Sequence, residues 1–141
     1  MEADRTIYHG TSRTFAAEIV GPPPAVDVTR GEGEFGRGFY CGSSKGKAAS
    51  LAAARNRLHA VVLVTLTTAM LNEMKVKNLD HRHSNKLRTR VGLSQRSTYL
   101  VHRDVVIGTL ANEPNVLQYK FETHHAETLL RTRGNLRKED L

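Results

Sequence analysis

The chain has no tryptophan and a single cysteine, Cys41, in 141 residues. One cysteine excludes an intramolecular disulfide framework and fits a reducing compartment. Its expected part is that of a small packing thiol. A domain of this length can bury a sufficient core without staples, so one domain over residues 1–141 is expected, with its core over about 6–131. Long apolar runs are also missing. Ala60–Val64 is a short one, far below the ~18–20 residues of a membrane span. The amino terminus, Met1-Glu-Ala-Asp-Arg-Thr, is polar and partly acidic and reads as neither a signal nor a transit peptide. A cytoplasmic location is the default expectation, with export as an effector left open.

Acidic residues are scarce: 14 against 21 lysines and arginines, a net charge of +7. From His81 to Arg103 there are none, while Arg82, Lys86, Arg88, Arg90, Arg96 and Arg103 all fall there. Such a stretch draws phosphates or an acidic protein surface, or is simply a solvated basic face. Only Tyr99 within it offers a ring for base stacking.

Several chemical signatures are absent as well. No Gly-Lys-Ser/Thr follows the glycines, which excludes a Walker A phosphate loop. Gly31-x-Gly33-x-x-Gly36 has dinucleotide spacing but does not join a strong strand to an immediate helix, as that fingerprint requires. His81-x-His83 and His124-His125 lack a third ligand at zinc spacing, so no metal is expected. Nothing marks a nucleophile elbow.

What the chain does have is Gly31-Glu-Gly-Glu-Phe-Gly-Arg-Gly-Phe-Tyr40, with four glycines in eight positions ending in an aromatic pair. Glycines at that density let backbone approach a ligand, and a tyrosine face can stack on a planar ring. Around it the elements read as follows. Thr6–Tyr8 is a short strand leading into His9-Gly10-Thr11, with the imidazole at the strand's end. Thr14–Val20 has helical spacing and stops at Gly21-Pro-Pro-Pro24. Val26–Arg30 reads as a brief strand, and Ser43 or Ser44 caps a helix over Lys45–His59. Ala60–Thr68 is the strongest strand signal, its consecutive apolar residues implying burial on both faces. Met74–Leu79 alternates like a strand, His81–Ser84 reads as a loop, and Asn85–Leu100 as a helix interrupted near Gly92. Asp104–Gly108 and Val116–Glu122 read as strands, with Glu113-Pro114 a turn between them. Thr123 caps a helix over His124–Arg131, Gly134 closes it, and 135–141 is expected to fray. Strands and helices mix without strict alternation, which favours α+β.

Tyr8-His-Gly-Thr11, Glu34-Phe-Gly-Arg-Gly-Phe-Tyr40, Asp104-Val-Val-Ile-Gly108 and Gln118-Tyr-Lys-Phe-Glu-Thr123 occur in an order that resembles the ADP-ribosyltransferase superfamily. The likeness is to its diphtheria-toxin and poly(ADP-ribose)-polymerase branch, marked by a His, a Tyr and a third Glu, Asp or Gln. Closer still, the motifs look like those of a small bacterial family of that kind described as a domain of unknown function. The likeness runs from about Ile7 to Leu130. It implies a split, bent antiparallel sheet flanked by short helices and clasping NAD as co-substrate, without a metal.

By that resemblance His9, Tyr40 and Gln118 are the catalytic set. His9 would bind the adenosine-side ribose, Gly10 would present backbone to the nicotinamide carboxamide with Thr11 beside it in the cofactor-binding set, and Tyr40 would stack on the nicotinamide. Phe39 would pack inward. Ser43 or Ser44 would add a hydroxyl, and Arg37 beside Gly38 would meet the pyrophosphate. The implied chemistry is loss of nicotinamide through an oxocarbenium-like sugar, followed by attack from a macromolecular acceptor, protein or nucleic acid. Gln118 stands where better-known members carry glutamate and cannot accept a proton. Glu122, four residues on, is the candidate to supply the missing charge. Alternatives of other classes are a catalytically silent NAD- or partner-binding module and a basic RNA-binding domain. An NAD-dependent RNA 2′-phosphotransferase fits less well, since its set of arginines and histidines finds no match.

Overall fold

The computed structural model describes residues 4–141; Met1–Ala3, the start of the polar amino terminus, lie outside them. The chain opens with β1 (Arg5–Ser12) and turns into α1 (Arg13–Val20). The glycine-rich segment supplies two short strands, β2 (Glu32–Gly33) and β3 (Gly36–Arg37), and then β4 (Phe39–Gly42). Next come α2 (Lys45–Arg55), β5 (His59–Leu66), α3 (Thr68–Asn72), β6 (Val76–Asn78) and α4 (His81–Gly92). The chain closes with β7 (Val105–Leu110), β8 (Glu113–Phe121), α5 (His124–Arg133) and β9 (Arg137–Asp140).

Each of the five helices among the described residues starts on a side-chain oxygen that accepts an otherwise orphaned backbone N–H. Ser12 serves α1, Ser44 α2, Thr67 α3, Asp80 α4 and Thr123 α5. The caps explain most boundaries. Asp80 Oδ1 accepts from the His83 N–H at 2.8 Å, so His81–Ser84, expected as a loop, is the first turn of α4. That helix ends at Gly92 and does not run toward Leu100. Val26–Arg30 makes no strand; Val26 and Val28 are buried in the core and a turn follows. Strand β1 does not stop at Tyr8 but pairs with β5 from Arg5↔Leu66 to Ser12↔His59, which puts His9 and Gly10 mid-strand.

The main sheet has seven strands in the order β6-β7-β8-β4-β1-β5-β9, and the fold is α+β. It is mixed rather than wholly antiparallel, because β6 lies parallel to β7. Its weak point is the seam between β4 and β1, where a single pair, Tyr8↔Gly42, is in register. On one side of the seam stand β6, β7, β8 and β4; on the other stand β1, β5 and β9. Ile7, Val62, Val64, Leu66, Phe121 and Leu130 belong to one apolar core. Val61, pointing opposite to Val62, is fully buried too, as the consecutive apolar residues of β5 implied.

Glu113-Pro114 opens β8 instead of forming the turn, which falls at Ala111–Asn112. Proline is tolerated because β4 pairs with β8 only from Gln118 to Phe121, leaving the strand's beginning free on that side. The tail does not fray. Residues 137–140 pair with β5 from Leu63↔Arg137 to Ala60↔Asp140, and the Leu141 N–H donates to the His59 carbonyl at 3.0 Å. An apolar pattern is not needed for this, since an open strand edge offers main-chain partners to any extended segment. Ion pairing of Lys45 with Glu139 adds to the attachment. No helix among the described residues is long and apolar enough to cross a membrane.

At the end of β8, Lys120 is fully buried and ion-paired with buried Glu122. Burial pushes the Lys120 ammonium's pKa down, against the pull of that carboxylate. Glu122 also accepts from the backbone N–H of Val101 at 2.9 Å and of His102 at 2.7 Å, holding His102 at φ 64°. Glu122→Ala would strand a buried cation and release that turn. It is expected to lower unfolding free energy by about 3–5 kcal/mol, read as a shift in the urea midpoint.

Candidate functional site

A cleft of about 920 Å³ opens along the seam, lined by β1, β4, the β2–β3 hairpin, α2 and the middle of β8. Its position follows from the ladder. Where β4 and β1 cease to pair in register, backbone and side chains of both strands border open space instead of one another.

His9 of β1 bridges the gap: its Nδ1 donates to the Tyr40 carbonyl of β4 at 2.5 Å. A carbonyl can only accept, so that bond selects the Nδ1–H tautomer and leaves Nε2 as an acceptor. Nε2 has no protein partner among the described residues and is not enclosed. The imidazole stacks on Phe39, ring centres 4.3 Å apart. Burial lowers the His9 pKa, opposed by the bond to Tyr40, so the ring is neutral at neutral pH.

Tyr40 lines the same cleft, but its hydroxyl is engaged: it donates to the Gly36 carbonyl at 2.6 Å and accepts from the Phe35 N–H at 2.9 Å. A Cβ on Gly33 would stand 2.7 Å from the tyrosine's Cζ, so the hairpin lies directly on the ring. Tyr40 thus shapes the glycine segment as well as facing the cleft. Burial raises its pKa beyond the ordinary phenol range, so it stays protonated.

Gln118 of β8 is buried against the cleft, and its Nε2 donates to Glu34 Oε2 at 3.0 Å. The same oxygen accepts from Arg88 Nη1 of α4 at 3.0 Å. Arg88 also donates to the Thr109 carbonyl at 2.6 Å and to Asn85 Oδ1, and lies over the Phe35 ring. Its guanidinium is therefore fixed before it meets Glu34.

The other expected residues divide. Thr11, Gly38 and Ser44 border the cleft, although the Ser44 hydroxyl is occupied in capping α2. Gly10 borders it too, yet its lack of a side chain serves packing: a Cβ there would lie 2.0 Å from the Ala48 carbonyl oxygen of α2. Three expectations need correcting. Ser43 does not line the cleft; its hydroxyl accepts the Leu117 N–H at 2.9 Å. Arg37 does not line it either, its buried Nε lying without a partner. Glu122 is not an auxiliary beside Gln118, because it is held by Lys120 and the 101–102 backbone.

Sequence reasoning missed Glu34 and Arg88, and the cleft's cations Arg30, Arg55 and Arg96. Arg55 and Arg96 have no carboxylate partner among the described residues, while Arg30 lies over Phe15. Glu34 stood in plain view within the glycine motif, but nothing local marked it as facing Gln118. Among the described residues no three His, Cys, Asp or Glu side chains converge as a metal site. The four histidines of the two pairs are bonded elsewhere: His81 to Thr109, His83 to Asp80, His124 to Glu127 and His125 to the Glu73 carbonyl. Cys41 is buried, and burial pushes its thiol pKa up, which fits an unreactive packing group.

These features define an α+β protein with a cleft at the seam of a mixed sheet whose lining carries both arginines and carboxylates. A family model described as "Protein of unknown function (DUF3990)" matches residues 5–133, and the chain belongs to that family. No curated protein matches it in sequence.

The His9 pKa gives a measurable consequence. As pH falls, the unfolded imidazole, with a pKa near ~6.5, takes up its proton before the folded one does. Its contribution is thus fully present above about pH 6.5 and declines below it until the folded ring titrates. The thermal midpoint of the wild type should fall more between about pH 7 and pH 5 than that of His9→Gln, whose amide can keep the bond to Tyr40. Parallel profiles would show that His9 is not held neutral.

Proposed function

We propose that the protein is a mono-ADP-ribosyltransferase that takes NAD as co-substrate and modifies a macromolecular acceptor. The observation that carries this reading is the convergence of His9, Tyr40 and Gln118, from three different strands, on one cleft of about 920 Å³. They are the His, Tyr and third polar residue on which the resemblance to the ADP-ribosyltransferase superfamily rests. The volume falls within the ~300–1,000 Å³ of ligand pockets generally, at the roomy end a dinucleotide needs.

The chain's groups fit such a ligand. The accepting Nε2 of His9 suits a ribose hydroxyl, which donates. The Tyr40 ring, pinned through its hydroxyl, offers a face that does not have to be ordered on binding. Arg30, Arg55 and Arg96 provide positive charge for a pyrophosphate, the task first given to Arg37. NAD would supply the ADP-ribosyl group and release nicotinamide. Gln118, with its Nε2 committed to Glu34, keeps its amide oxygen for a sugar hydroxyl.

The acceptor would be drawn by positive charge. Arg82, Lys86 and Arg90 recur every four residues on α4, are exposed, and have no carboxylate partner among the described residues. Both an acidic protein surface and nucleic acid answer to that face. Gln118 favours a second reading, a module that binds NAD without turning it over, because an amide cannot take a proton.

Purified protein incubated with labelled NAD and cell extract tests both readings. The wild type should transfer label and release nicotinamide, and His9→Ala and Tyr40→Ala should each reduce this by about 100-fold or more. Calorimetric NAD binding without release would support the silent module. Neither binding nor release by the wild type would remove NAD from the account.

A further inference from the structure

The cleft holds a carboxylate in the place where Gln118 lacks one. We propose that Glu34 is a catalytic residue of this cleft, the group that takes the acceptor's proton during transfer. The proposal rests on the NAD reading above and assigns within it a role that Gln118 cannot fill. Transfer to an oxygen or nitrogen acceptor releases one proton and passes through positive charge at the sugar. An ionised carboxylate beside the reacting carbon serves both needs, whereas an amide serves neither.

Glu34 meets the geometric demands. It occupies the turn of the β2–β3 hairpin, lines the cleft, and is hydrogen-bonded to Gln118 across 84 residues of sequence. Both anchoring bonds, from Gln118 and from Arg88, fall on Oε2. Oε1 has no protein partner among the described residues and is not enclosed, and the side chain is 37% exposed. One oxygen is therefore fixed and the other open to a ligand. Arg88 is held by Asn85 and the Thr109 carbonyl, so the carboxylate is positioned from behind by a rigid cation.

Of the other carboxylates on the cleft lining, Glu18 and Glu32 are exposed, and among the described residues only Glu34 is hydrogen-bonded to Gln118. Asp27 accepts from the Thr29 N–H at 2.8 Å and hydroxyl at 2.6 Å, and Glu122 is paired with Lys120 away from the cleft. In the step assigned here, the bond from ribose C1′ to the nicotinamide nitrogen breaks. Its electron pair leaves with neutral nicotinamide. The acceptor's lone pair forms the new bond to C1′, and the acceptor's proton passes to Glu34 Oε1 and on to water. Gln118 holds the neighbouring hydroxyl through its amide oxygen.

Moving the charge tests this. In Glu34→Gln the new amide oxygen can still accept from Gln118, so the contact survives and the charge does not. Its kcat for nicotinamide release should fall about 100- to 1,000-fold. NAD affinity by calorimetry should stay within about threefold of wild type, since the loss is confined to the reacting centre. The double variant Glu34→Gln/Gln118→Glu reverses the pair and returns a carboxylate about 3 Å away. It should recover at least tenfold of the lost kcat, a gain that a purely structural part for Glu34 would not produce. A wild type that cleaves NAD while Glu34→Gln does so equally well overturns the assignment and leaves the cleft's function standing. So does a Glu34→Gln that loses affinity and kcat together with no recovery in the double variant. A wild type that neither binds nor cleaves NAD overturns both.

Discussion

The hydrogen bond from His9 Nδ1 to the Tyr40 carbonyl spans the place where the sheet comes apart. Strands β1 and β4 share one pair in register, so their two halves are held together there by few main-chain contacts. A side chain reaching across does what the ladder no longer can. The same bond selects the imidazole tautomer and turns its other nitrogen toward open space. Stacking of that ring on Phe39 fills the seam's apolar side. Structural continuity and chemical capacity are thus supplied by one residue.

From Tyr40 the constraint passes to the glycine-rich hairpin. The phenol hydroxyl binds the backbone at Phe35 and Gly36, curling the segment back onto its own ring. That fold-back leaves Phe35 buried and carries Glu34 to Gln118, while Arg88 closes the arrangement from α4. The segment is therefore less a phosphate cradle than a mount, with backbone packing tight enough at Gly33 to exclude a side chain. Buried polar groups in such a network are stable only when paired, which ties the hairpin's conformation to residues far away in sequence.

Much of the fold was legible because its signals are local. A serine or threonine ahead of an apolar-periodic stretch marked α2 and α5, and β-branched residues marked β5. The misreadings share a cause. Asp80 and the start of α4 look like a histidine-rich loop until the cap is formed. Pro114 looks like a turn until it is seen that β8 is unpaired on one side there. The carboxy-terminal strand has no apolar pattern and exists through the exposed edge of β5. Glu122 illustrates the limit of strand arithmetic: its place along the chain suggested a cleft residue, but it lies past the strand's end and is drawn to buried Lys120.

The sequence by itself determined the α+β class and the positions of most elements, while the order of its motifs singled out His9, Tyr40 and Gln118 as candidates by resemblance. The class and the elements depend on propensity and capping, readable over a few residues. Only the tertiary structure decided which side chains meet in the cleft. The contacts of Glu34 with Gln118 and Arg88 join positions 84 and 54 residues apart. Such meetings depend on sheet order and on how a hairpin folds back, and the physical reason they escape the sequence is that no local preference encodes them. The same is true of Arg37 and Glu122, which the chain's order aimed at the cleft and its packing turned away.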